Sequence, residues 1–277
     1  MIRRASVPSR INVIGEHTDK FEGLCLAFAG HHRLTLTVSS RDTGFTGDPK
    51  IVQLWVAAGG WPADIGVSSQ IPIGAGLSSS AALCVAIALC VDGDVDRLGA
   101  SKKAQRIEHE VLGSECGLMD QIIITHCSEG KAALVDFSNL KVTPHTIPDW
   151  WKFKLVDTGI RRSLANTEYS GSKISLEDRT IHAFEETERV KQALNSESGR
   201  LGELLNESHN SLSRKIKITN PLIDNMVKQV QGKPGVLGAR LMGGGFGGMI
   251  IALVEDDNAL PGKTLEPSSS AILEELG

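Results

Sequence analysis

A chain of 277 residues with 29 Lys and Arg against 33 Asp and Glu carries a formal net charge of −4. That balance offers no basic stripe for a nucleic-acid partner, and the length suits a sizeable core, with a prior of roughly two lobes of about 150 residues. The longest apolar run, Ala81 to Val91, has eleven residues, whereas a membrane span needs roughly 20, so it reads as a buried helix. Cys25, Cys84, Cys90, Cys116 and Cys127 are odd in number and lack C-x-x-C spacing. They read as thiols of a reducing, cytoplasmic compartment rather than as disulfides or metal ligands. Arg3-Arg4 matches a twin-arginine pair, but Pro8 and polar residues follow where a leader needs an apolar stretch.

Along the chain, Ile11, Val13 and Ile14 mark a short buried strand. Gly15 ends it, and Glu16, His17, Thr18 and Asp19 crowd the turn that follows. Such a polar cluster suits a polyhydroxylated ligand, because each hydroxyl removed from water needs a donor or acceptor; a solvated loop is the plainer reading. Leu24 to Ser39 alternates like strand, with Leu34, Leu36 and Val38 on one face. The turn cluster Asp42 to Pro49 separates it from Ile51 to Ala57. A helix is expected over Ser79 to Asp92, opened by serine caps and closed at Gly93, and a second over Ser101 to Leu112, with Ser101 as cap and Gly113 as stop. Ile122 to Thr125 is apolar, Lys131 to Phe137 strand-like, and Pro144 and Pro148 bracket an expected lobe boundary, giving lobes 1–148 and 149–277. Phe153 to Asp157 and Met249 to Glu255 read as strands, and Leu176 to Ser196 as a long helix. Strands and helices mixed in both halves predict an α+β fold.

The loop Gly74-Ala75-Gly76-Leu77-Ser78-Ser79-Ser80 has no Walker ending. It still combines glycines that let backbone approach closely with a helix N-terminus, a combination suited to phosphate. A dinucleotide-binding reading of the same glycines puts Ser79 in the third glycine position and lacks a second βαβ unit. Asp92, Asp94 and Asp96 imitate an EF-hand start, but Arg97 and Lys103 occupy the glycine and glutamate positions. His109-Glu110 lacks the second histidine of a zinc-protease motif. Glu108 borders the apolar stripe Ala104, Ile107 and Val111, so its carboxylate needs a cation or a donor. Magnesium and an ordinary ion pair with Lys or Arg both satisfy it. Asp120, between Met119 and Gln121, serves equally as a helix cap.

Three segments, Pro8 to Asp19, Ile71 to Leu83 and Val236 to Gly248, resemble in order the three motifs of the GHMP kinases, and among them the galactokinases. Glu115-Cys-Gly-Leu-Met-Asp-Gln121 is similar to that family's catalytic-aspartate segment, and Arg161 to Tyr169 to the segment holding a sugar-contacting tyrosine. The resemblance implies a two-lobed α+β fold with the active site in the cleft between the lobes, and ATP-dependent phosphorylation of the C1 hydroxyl of galactose. It implies Asp120 as base, with Arg10 holding the hydroxyl and the moving phosphoryl, a division that suits phosphoryl transfer; a core salt bridge between the two is the plainer role. Glu16, His17, Thr18, Asp19 and Tyr169 would bind sugar with them, Gly74 to Ser80 would bind ATP, and Ser80 and Glu108 would ligate Mg2+. The glycine turn Gly243 to Gly248 would pack beside the phosphate loop.

The chain departs from the family in having Lys20 where an aromatic residue usually follows the first-motif aspartate. It is also shortened between its first two motifs and again before the last. The stretch Asp256 to Lys263 is too short for the usual helix, and Thr264 to Ser268 stands for the final strand. A GHMP kinase for another sugar (a galactose derivative, arabinose or a heptose) and a non-catalytic sensor of ATP and galactose are the alternatives. Neither monomer nor homodimer is selected.

Overall fold

In a computed structural model, residues 1–93, 96–161 and 174–276 are described. They form ten strands in one sheet of seven and one of three, with seven α-helices, an α+β fold. β1 (Ile2–Ile14) and β2 (Leu24–Ser40) form the long antiparallel hairpin at its centre. β2 divides its other edge. Residues 34–40 pair with β4 (Ala63–Ser69), and residues 24–27 pair with β5 (Ala132–Asp136), which continues to β6 (Lys141–His145). β3 (Phe45–Thr46) adds to β4. The last strand, β10 (Ile272–Glu275), returns to the free edge of β1, so the chain end lies in the sheet where the chain begins. It is this segment, rather than 264–268, that forms the final strand.

The second sheet is the antiparallel set β7 (Lys152–Asp157), β9 (Met249–Val254) and β8 (Val236–Leu241). One apolar cluster runs from β1 and β2 across to this sheet, joining Ile11, Phe28 and Leu36 to Phe153, Ile251 and Leu253. Every residue of β9 is buried, which explains its unbroken apolar sequence.

The helices follow local chemistry, with two corrections at their starts. Residues 51–57 belong to α1 (Pro49–Ala57), started by Pro49 and by the Asp48 carboxylate, which accepts from Lys50 N and Ile51 N. α2 (Ser79–Asp92) has the expected bounds, but Ser78 is not a side-chain cap: it lies left-handed at φ 65°. α3 spans Arg97–Leu112, capped by Asp96 through Gly99 N. Ser101 is therefore interior, its Oγ bonded to Arg97 O and Thr125 Oγ1. The apolar run 122–125 lies in α4 (Met119–His126). α5 (Leu176–Ala193), α6 (Ser198–Ser211) and α7 (Pro221–Gln231) complete the described set. Among the described residues no helix is long and apolar enough to cross a membrane.

Candidate active site

Arg10 lies just past an irregularity in the β1–β2 register, between Pro8 and Arg10. Bulges re-aim side chains and free backbone groups, and here Arg10 N bonds Leu77 O of the glycine loop at 3.3 Å. The guanidinium does the rest of the assembly. Its Nε and Nη2 both meet Asp120 Oδ1, at 2.7 and 2.6 Å, and Nη1 donates to Gly76 O at 3.1 Å. One buried cation thus fixes the first turn of α4 and the loop before α2 at a common point. Burial opposes the Arg10 charge, but Asp120 and Glu16 outweigh it and hold its pKa above the ordinary value. The core salt bridge anticipated from sequence exists.

The glycine loop is held open by its neighbour. Gly76 (φ 73°) packs so closely on the last glycine turn that a Cβ would lie 2.9 Å from Met242 O, and one on Gly248 would lie 2.6 Å from Ala75 O. The expected packing of Gly243 to Gly248 beside the phosphate loop is therefore observed. Gly74, Ala75, Gly76 and Leu77 form the loop, with Ala75 and Leu77 buried in the core, and Ser79 and Ser80 open α2 half-buried. Ser78 is buried, and its Oγ has no protein partner. An orphaned hydroxyl at a helix N-terminus, beside glycines that keep side chains away, fits a polyphosphate.

Glu108, 3% exposed, projects from α3 to the same place. Burial raises its pKa, opposed by bonds from Ser80 and Gln121. Gln121 Nε2 donates to Glu108 Oε2 at 2.8 Å. Among the described residues its hydrogen-bond partners are neutral and no Lys or Arg pairs with it. Nor do three or more His, Cys, Asp or Glu gather to form a complete protein cage for a metal. One carboxylate with one hydroxyl beside a phosphate loop fits magnesium, which keeps waters and takes its remaining ligands from substrate phosphates.

The turn after β1 brings the sugar-motif residues together with different fates. Asp19 Oδ2 accepts from Met119 N at 3.2 Å, next to Asp120. Burial raises the Asp19 pKa despite that bond. Gly117 makes the approach possible, since a Cβ there would fall 1.8 Å from Asp19 Oδ2. Glu16 Oε1 accepts from Gly243 N at 2.6 Å and from Arg240 Nη1 at 3.3 Å, while Oε2 has no donor among the described residues. Burial would raise the Glu16 pKa, but Arg240 and Arg10 bring it down to about 2. His17 is half-buried in the left-handed region at φ 58°. Thr18 is fully buried and its Oγ1 bonds Gly15 O and Leu24 O, both at 3.0 Å, so its hydroxyl closes the turn. Tyr169 lies outside the described residues. Lys20, the departure from the family pattern, bonds Glu115 O and ties this turn to the Asp120 loop.

Sequence reasoning missed Arg240, Gly117 and Gln121. Arg240 is fully buried and donates to Val13 O, Asn12 O, Leu241 O and Glu16. Its signal was present, since a lone cation in the apolar run Val236 to Met242 needs buried acceptors.

Comparison with known proteins agrees with this geometry. The galactokinase galactose-binding signature matches residues 3–40, the GHMP kinases N terminal domain residues 50–128, and the GHMP kinases C terminal residues 180–261. The galactokinase of Exiguobacterium sibiricum is 31% identical over 92% of this chain and 85% of its own length. That of Thermotoga maritima is 32% identical over 90% and 89%. Among solved structures, Lactococcus lactis galactokinase complexed with galactose superposes with a TM-score of 0.85 at 23% identity, covering 98% of this chain and 95% of that one. Methanococcus jannaschii mevalonate kinase gives 0.65 at 19%, covering 92% and 90%, so the architecture is shared across kinases of different substrates. The three motif matches and the relatives spanning nearly the whole chain together show that this protein belongs to the galactokinase family of the GHMP kinases, which are ATP-dependent enzymes.

Proposed function

We propose that the chain transfers the γ-phosphoryl group of ATP to the C1 hydroxyl of galactose, releasing ADP and galactose 1-phosphate. The observation that carries this reading is the single guanidinium of Arg10, bonded at once to Asp120 and to Gly76 O of the glycine loop. Asp120 takes the proton of the C1 hydroxyl while the bond from that oxygen to phosphorus forms and the bond to the departing ADP breaks. Arg10 offsets the negative charge that moves between the two oxygens. Gly74 to Ser80 hold the phosphates through backbone N–H groups and the Ser78 hydroxyl. Mg2+, held by Glu108 and Ser80, would neutralise phosphate charge when bound. Glu16 Oε2, His17, Asp19 and Tyr169 receive the sugar hydroxyls. Residues 1–148 supply the base and the phosphate loop, and 149–277 the turn that closes over it. A cytoplasmic setting is supported by the five free cysteines, four of them buried, and both monomer and homodimer accommodate the chemistry.

The test is ADP release with galactose and its C4 epimer, glucose. A site built to bond one hydroxyl rejects the analogue that misplaces it by roughly 10⁴-fold. Comparable kcat/KM on the two sugars would remove galactose as the substrate.

A further inference from the structure

Three polar side chains of α5 are spent on backbone atoms of one turn. Glu186 Oε1 accepts from Gly15 N at 3.1 Å. His182 Nε2 donates to Glu16 O at 3.0 Å, with Nδ1 accepting from Ser211 Oγ at 2.8 Å. Thr187 Oγ1 accepts from Leu24 N at 3.2 Å. Gly15 and Leu24 are the two stems of the turn carrying Glu16, His17 and Asp19, so the helix grips it at both ends while Thr18 bridges it from inside. Glu186 and His182 are fully buried, and Glu186 is itself braced by Ser208 Oγ at 2.6 Å and Arg189 Nε at 2.7 Å. The His182 ring also meets His17 edge-on, 6.5 Å between centroids.

Apolar residues would fill this volume at lower desolvation cost, since a buried polar group stabilises only when bonded. Each of these three is bonded to the same ten-residue turn, and none touches the glycine loop or Asp120. We propose that His182, Glu186 and Thr187 are positioning residues for the sugar, setting the spacing of Glu16, His17 and Asp19 by holding the stems from which they project. This rests on the sugar-kinase reading above, and it assigns specificity to a helix that contributes no group to the transferred phosphoryl.

Thr187→Val is nearly isosteric and removes only the acceptor for Leu24 N; Thr187→Ser restores it. His182→Leu removes the donor to Glu16 O, and His182→Gln returns one. Galactose affinity measured by calorimetry without nucleotide should weaken roughly 5- to 30-fold in Thr187→Val and His182→Leu, the scale of one or two lost hydrogen bonds. The KM for ATP should move less than about two-fold, and Ser and Gln should recover most of the loss. Unchanged galactose affinity in Thr187→Val, which preserves packing even where His182→Leu is unstable, overturns the positioning role. So does a KM for ATP that rises as far as the sugar constant. A parent protein with no galactose affinity overturns the substrate reading instead.

Discussion

Asp120 and Glu108 are carboxylates beside the same glycine loop, yet their surroundings assign them different work. Asp120 is partly exposed and held by Arg10, so it can meet a substrate hydroxyl. Asp120→Asn keeps the size and one acceptor but cannot take a proton. Its kcat should fall roughly 10²- to 10⁴-fold with galactose affinity little changed, as rapid kinetics and calorimetry on the same variant would show. Among the described residues Glu108 faces neutral donors only, and burial disfavours its charge. Glu108→Gln should therefore raise the Tm of the ligand-free protein while lowering activity and increasing its magnesium requirement; a lowered Tm would contradict the environment described. Asp19, Arg10 and Asp120 were singled out through a resemblance carried by short local motifs, and the fold brings the three together. The turn-closing bonds of Thr18 were not legible, because composition cannot tell a hydroxyl that faces a ligand from one that closes a turn. Gly117 went unnoticed because its role depends on Asp19, which is brought against it from far along the chain.

At the scale of elements, strand bounds and helix stops were readable where periodicity met a glycine, as for β2 and for the ends of α2 and α3. Starts were less so. Asp96 outcompeted Ser101 as a cap because its carboxylate reaches Gly99 N, and the earlier start lets Ser101 bond across to α4 instead. At Ser78 the left-handed backbone displaced the ordinary cap geometry. The junction of the two glycine turns is where backbone requirements are strictest. Gly76→Ala would place a side chain in the left-handed region, at a cost of roughly 1–2 kcal/mol, and against Met242 O. It should lower the Tm and raise the KM for ATP more than the KM for galactose. Equal rises in both constants would mean that the loop does not act on the nucleotide selectively.

Across the whole molecule the two sheets are joined by a rivet whose cation stands out in the sequence but whose distant acceptors do not. Arg240 of β8 reaches into β1, bonding two carbonyls and Glu16, and Glu16 in turn bonds Gly243 N. Arg240→Met should cost roughly 3–5 kcal/mol in urea unfolding, because it removes the cation bonded to the buried Glu16 carboxylate and the donor to two carbonyls. The same pair sets an acid limit. The Glu16 pKa lies at about 2 in the fold against 4.5 for an ordinary glutamate. Its contribution is therefore fully present above about pH 4.5 and is lost as pH falls toward 2; a Glu16→Gln variant whose stability fails to converge on the parent's over that window would contradict the pairing. The rivet holds the sugar turn against the glycine turns, and the function rests on that closure. Its most direct test is ³¹P NMR of the product formed from ATP and galactose. The predicted result is an anomeric phosphate on C1, formed by the parent and suppressed in Asp120→Asn. Phosphate on the C6 hydroxyl, or none transferred to galactose at all, would contradict it.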